Sequence, residues 1–310
     1  MMVRCAALLL LAYGAYGQVD LSGVWTNATP TPLERPAEFK GREFYTDAEM
    51  AANAKRALEP GAADVLAGTG AHYNFEQFGL DPNQAKQTLS RRTSIVVDPA
   101  DGKVPPMNAE GRKRNAARAA ERRLHGQYDG PETRPLSERC IIWPTTGPPM
   151  LPGAYNNNIQ IQQDAGYVGI LVEMNHDLRM VPVNGPPHPG SGIRQYMGDS
   201  RGRWEGNTLV VDTTSFTDKT NFHGASEDLH VVERFTRLDE NSIRYEFTVE
   251  DAKTWDKPWR GELMLAKTQG PLFEFACHEG NYGMPNTLRG ARAQEAKDEA
   301  KAEAKKETAK

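Results

Sequence analysis

The chain has 310 residues, with 37 Lys and Arg against 41 Asp and Glu and a formal net charge of −4. That mildly acidic balance excludes a general attraction to nucleic acid or anionic lipid. The length suits one large domain or two small ones, and beyond the N-terminus no apolar run is long enough for a transmembrane helix.

Met1-Met2-Val3-Arg4 is followed by a short apolar run from Cys5 to Ala12 and by small residues at Ala15 and Gly17. This is the order of a cleavable secretory signal, with residues 1–17 removed after Gly17. Cys5 precedes the apolar core and cannot serve as a lipoprotein anchor. The expected location is therefore secreted or periplasmic. Cys140 and Cys277 remain after cleavage, either as a disulfide or as two separate buried thiols.

Residues 18–289 read as a single β-rich domain. It begins with the short strand Asp20 to Thr26, carrying a Gly-x-Trp step. Thr46-Asp47-Ala48-Glu49 has the spacing of a capping box and predicts a helical excursion over about 46–60. Thr93 to Val97 is β-branched and predicts a strand before the turn cluster Asp98 to Gly102. The stretch 108–124 is rich in Ala and carries six basic residues, which predicts a helix with a solvated basic face.

From Asn158 the pattern changes to short strands: Ile159–Gln162, Tyr167–Glu173, Thr208–Thr213, Leu229–Arg237, Ile243–Glu250, Glu262–Lys267 and Leu272–Cys277. Turn signals divide them, among them Asn184-Gly185, Gly206-Asn207 and Gln269-Gly270-Pro271. The expected fold is mainly β: an antiparallel meander that closes into a barrel or folds into a sandwich, with helical insertions in the N-terminal half. Residues 290–310, nearly all Ala, Glu, Lys and Asp, predict a helical or disordered charged tail.

Residues with chemical potential gather at strand ends. Glu173 to Asp177 closes one apolar strand and Cys277 to Tyr282 another. In the strand readings, Glu233 shares a face with Val231 and Phe235, His230 shares the opposite face with Val232 and Arg234, and Glu274 falls with His278. Candidates for acid–base catalysis are therefore His176, His230 and His278 with Glu173, Glu233 and Glu274. Candidates for ligand contact are Trp25, Arg194, Arg201, Arg203, Trp204, His223 and Tyr282, with arginine forks for acidic groups and aromatic rings as stacking plates. Each of these positions reads equally as the wet face of a strand or as a surface turn. The histidine spacing defines no metal site, and no cofactor is implied. Gly-x-Ser-x-Gly, Gly-x-Gly-x-x-Gly and phosphate-loop patterns are absent, which disfavours serine hydrolases, Rossmann dehydrogenases and nucleotide hydrolases.

Taken together, Gly23-Val24-Trp25, the stretch 93–102, Glu138-Arg139-Cys140, Asn156 to Gln160, the stretch 198–212 and Cys277 to Tyr282 resemble a family of secreted proteins frequent in soil bacteria. The resemblance covers most of the mature chain and implies export without a particular activity. The Gly-x-Trp start is also similar to that of lipocalin-type (calycin) barrels, which implies a barrel around a small organic ligand. Lipocalins are shorter and lack the helical excursions before Asn158. Three functional expectations follow: a small-ligand carrier, an acid–base enzyme of lyase, hydratase or isomerase type, or an envelope interaction protein. Nothing in the sequence fixes an oligomeric state.

Overall fold

Strict alternation of inward and outward residues shapes this protein, and β9 (Ser242–Glu250) shows it best. Ile243, Tyr245, Phe247 and Val249 are buried, while Arg244, Glu246, Thr248 and Glu250 are only partly covered. A period of two with one apolar face is what a strand on a barrel wall requires. The computed structural model describes residues 19–57, 88–153, 155–190, 192–220, 222–269 and 272–308. The expected signal segment, the end of the first helical excursion, Asn221 and the Gly270-Pro271 turn lie outside the described residues.

The other strands are β1 (Gly23–Thr26), β2 (Val96–Asp98), β3 (Asn158–Gln163), β4 (Tyr167–Val172), β5 (Asp177–Pro182), β6 (Asp199–Glu205), β7 (Thr208–Thr214), β8 (His230–Arg237) and β10 (Trp259–Lys267). They form one antiparallel sheet in the order β5-β4-β3-β1-β10-β9-β8-β7-β6, with β2 attached to β10 off this path. The two ends of the sheet meet at a parallel bridge between Val183 and Gly202, where the Asn184 amide donates to the Gly202 carbonyl at 2.8 Å. The result is a nearly closed nine-strand barrel. Gly202 permits that approach, because a Cβ there would stand 3.0 Å from Cγ1 of Val181.

The interior is filled by side chains. Trp25, Phe235, Tyr245, Phe247 and Trp259 are at most 1 % exposed and pack with Ile159, Ile161, Val211 and Leu265. Each fully buried large apolar side chain contributes roughly 1.5–3 kcal/mol of transfer free energy. Gly261 sits opposite Phe247, whose ring lies where a Cβ would be, 2.1 Å from its Cζ.

Among the described residues three α-helices accompany the barrel. Helix α1 (Asp47–Ala57) starts at the expected capping box: the Glu49 amide donates to Thr46 Oγ1 and the Thr46 amide to Glu49 Oε2. Helix α2 (Ala109–Arg123) is capped by Asn108, whose side chain accepts from the Gly111 amide at 2.9 Å. Its basic residues do more than face water. Arg114 and Arg118 donate to the carbonyls of Lys253, Gly224 and Ala225, so the helix is fastened to two loops at the barrel end. Helix α3 (Gly283–Thr308) takes in most of the charged tail. No helix among the described residues is long and apolar enough to cross a membrane.

The sequence reading needs correction at four elements. Residues 272–277 form no strand, because β10 already has β1 and β9 as neighbours and no free edge remains beside it. Strands β5 and β6 go unread in the sequence because Arg179 and Gly202 interrupt the apolar alternation on their inward faces. The tail helix begins at Gly283, earlier than the compositional change near residue 290.

Candidate functional site

The tight turn between β4 and β5 holds two carboxyls, Glu173 and Asp177, whose proton affinity burial raises. Glu173 follows the last residue of β4, and its amide donates to the Asn158 carbonyl at 2.9 Å. This fixes its carboxyl beneath the segment 273–275. There Oε1 accepts from the Phe273 amide at 3.4 Å and from Asn156 Nδ2 at 3.5 Å, both long bonds. The Glu173 side chain is 1 % exposed, and its Oε2 has no hydrogen-bond partner. Burial raises its proton affinity, only partly offset by Asn158, whose own Oδ1 is buried and unpartnered. A protonated Glu173 would supply the donor that this arrangement lacks.

Four residues on, Asp177 repeats the pattern. Asn175 Nδ2 donates to its Oδ1 at 3.2 Å, Oδ2 is buried without a partner, and desolvation again raises the carboxyl's proton affinity. The backbone around these two acids is strained. Asn175, His176, Asn156 and Cys140 have φ of 60°, 58°, 53° and 54°. Left-handed residues other than glycine cost of order 1 kcal/mol or more each, and they gather where the fold holds a functional geometry. Trp143 stacks edge-on with Tyr155 and Phe275 at 6.2 and 6.3 Å, giving the site an aromatic wall.

The structure ties the segment before the second cluster to Glu173 through the Phe273 amide. Cys140 and Cys277 form a disulfide that pins the segment 273–282 against residues 137–140. Between that segment and the start of α3 lies a recess of about 560 Å³, bordered by Glu138, Glu274, Phe275, Cys277 and Tyr282. Tyr282 is 73 % exposed over it. Residues 273–275 therefore separate the recess from Glu173: Phe273 bonds the acid while Glu274 and Phe275 face the recess. His176 and His278 are exposed.

Other sequence candidates lie elsewhere. Glu233 is inside the barrel, fully buried and held by Arg179 through bonds of 2.6 and 2.9 Å, with the Tyr245 hydroxyl donating to it at 2.7 Å. His230 is on the outer wall, 3.0 Å from Asp212 and 3.2 Å from Glu250. Trp25 is a core residue whose Nε1 donates to the Leu21 carbonyl, with the Arg237 guanidinium over its ring at 5.2 Å. Arg194 pairs with Glu227, Arg201 with the buried Asp199 and Arg203 with Glu205, so each guanidinium is engaged in an ion pair. Trp204 packs against the core, and the His223 ring rests edge-on to Phe222 and Trp259.

Sequence reasoning passed over Asn158, Arg179, His188 and Tyr245, and placed Asp177 only within the 173–177 cluster. For Asp177 and Asn158 a signal existed in the run of asparagines and acids flanking two apolar strands. For Arg179 and His188 none existed, since their partners are 54, 11 and 24 residues away.

Fold and site define a nearly closed antiparallel barrel with a disulfide-pinned polar end. No protein-family model, curated protein or solved structure matches the chain. The case for function therefore rests on the chemistry of the site.

Proposed function

We propose that this is an exported barrel protein that binds a small organic ligand at the β4–β5 end, in the recess beside α3. The observation that carries the reading is the recess itself. Its volume of about 560 Å³ falls in the range of small-molecule sites, and its border combines the aromatic faces of Phe275 and Tyr282 with the Glu274 carboxylate. Export is supported by the N-terminal pattern and by the Cys140–Cys277 disulfide, which persists best in an oxidising compartment. Kinship with the soil-bacterial secreted family and with lipocalin-type barrels belongs to the same reading. It draws support from the mostly up-and-down strand order, although nine strands and a parallel closure depart from the eight-strand lipocalin plan.

A second reading, acid–base catalysis at the same end, is favoured by Glu173 and Asp177, two carboxyls whose proton affinity burial raises. One experiment addresses both. Millimolar aromatic and aliphatic amines, alcohols and carboxylates are titrated while intrinsic tryptophan fluorescence and thermal unfolding are followed. A ligand for this recess loses affinity with Tyr282→Ala and Glu274→Ala. A ligand whose binding survives both substitutions removes the recess as the site. Conversion of the bound compound that stops with Glu173→Gln supports the enzyme; unchanged conversion in that variant rejects it.

A further inference from the structure

On the outer wall, at the end where β6 and β8 begin and β7 and β9 finish, six ionisable groups form an unbroken line. Arg201 contacts Asp199 at 3.1 Å, and Asp199 meets Nδ1 of His188 at 2.7 Å. Nε2 of His188 meets one oxygen of Asp212 at 3.0 Å; the other oxygen of Asp212 meets Nε2 of His230 at 3.0 Å. Nδ1 of His230 then meets Glu250 at 3.2 Å. All four ring nitrogens therefore face carboxylates. A neutral imidazole has one N–H, so it can donate to only one of its two acids, and its bare nitrogen then confronts the other. Only two imidazoliums satisfy the line, giving three positive and three negative groups; with both rings neutral the same line carries a net charge of −2.

The position of His188 gives this arithmetic a structural consequence. His188 lies on the connection between β5 and β6, just beyond the parallel bridge of Val183 with Gly202. The connection is also held by the Asn184–Gly202 bond, by Gln195 bonding Ser215 and Thr217, and by Arg194 on Glu227. Since every ring nitrogen is engaged, neither imidazole offers a lone pair to a substrate. The line is a fastening.

We propose that the His188–Asp212–His230 line is a pH-sensitive clasp, which fastens the connection between β5 and β6 to β6 and β7 while every ring nitrogen can donate to its carboxylate and loosens it once the line is short of a proton. The groups facing the rings are Asp199 and Arg201 from β6, Asp212 from β7 and Glu250 from β9. His230 titrates above its ordinary range because Asp212 accepts from it, and the same contact holds Asp212 below the usual carboxylate range. A histidine raised in the fold contributes stability that is complete below about pH 6.5 and lost as pH rises through the folded value. The carboxylate of Asp212 adds stability above about pH 4, lost on acidification. The clasp is thus closed in the mildly acidic range and opens on the alkaline side.

Hydrogen exchange on the full-length protein tests this at the Asn184 amide, compared at about pH 6 and pH 8.5 after correction for the intrinsic rate. The expected result is a loss of protection of roughly tenfold at Asn184 on the alkaline side, with the β8–β9 amides unchanged. The double variant His188→Gln/His230→Gln should remove the pH dependence. Equal protection at both pH values overturns the proposal, as does loss of protection across the whole barrel. Should the double variant fail to fold, NMR titration of the wild-type rings decides. A His188 or His230 midpoint that does not coincide with the change at Asn184 overturns the clasp, and coincident midpoints support it.

Discussion

Arg179 on β5 and Glu233 on β8 clasp each other across the filled interior of the barrel, with Nη1 to Oε2 at 2.6 Å and Nη2 to Oε1 at 2.9 Å. Both side chains are at most 3 % exposed. Neither charge has water to fall back on, so removal of either partner strands the other in the core. Arg179→Met or Glu233→Leu alone should cost about 3–5 kcal/mol of unfolding free energy, and the double variant much less than the sum. Urea unfolding of the two single variants and the double variant measures this coupling. A double variant as unstable as the sum would mean that the pair acts through packing alone.

Tyr245 completes this interior network. Its hydroxyl donates to Glu233 Oε1 at 2.7 Å and accepts from the Met150 amide at 2.8 Å. Burial and the Glu233 carboxylate push its ionisation well above the ordinary tyrosine range. Tyr245→Phe leaves the ring packing against Phe235 and Phe247 but removes both bonds, and should cost about 1–3 kcal/mol. The wild-type hydroxyl should show no phenolate absorbance as pH is raised until the protein unfolds.

Glu173 carries a raised proton affinity because it is desolvated. A carboxyl raised in the fold contributes stability that is present below its unfolded value near pH 4.3 and lost as pH rises through the folded value. Glu173→Gln keeps the shape and stays neutral throughout. Its melting temperature should match wild type at about pH 4 and exceed it increasingly towards pH 8. A constant difference across that range would contradict a titrating Glu173.

The disulfide closes a long loop, joining cysteines 137 residues apart. Replacing both with serine should cost about 3–5 kcal/mol, chiefly by freeing the unfolded chain. Because Cys277 borders the recess, the same variant should also weaken any ligand held against Tyr282. Denaturant midpoints with and without reductant isolate the first effect, since the serine variant should be indifferent to reductant.

Much of this architecture was legible in the chain. The alternation in β9 specified which face turns inward; in β8 it separated Glu233, Val231 and Phe235 from His230 and Arg234 without deciding which face is inner. The Thr46–Glu49 box and the Asn108 cap also form as written, because helix starts are local hydrogen-bond chemistry. The cluster at 173–177 was visible as a polar run closing the apolar strand β4, whereas the run at 277–282 follows no strand.

What the sequence determined by itself are the properties with a short period: strand and helix patterning, cap residues and the turns between hairpins. The closure of the barrel, the Arg179–Glu233 pair, the orphaned oxygens of Glu173 and Asp177 and the His188–His230 line belong to the tertiary structure alone. Each depends on groups from strands far apart in the chain, and Coulomb and desolvation effects act through space rather than along the backbone. An isolated Glu173 or His188 in the sequence is an ordinary polar residue; burial under residues 273–275, or a place between two carboxylates, is what gives it chemistry.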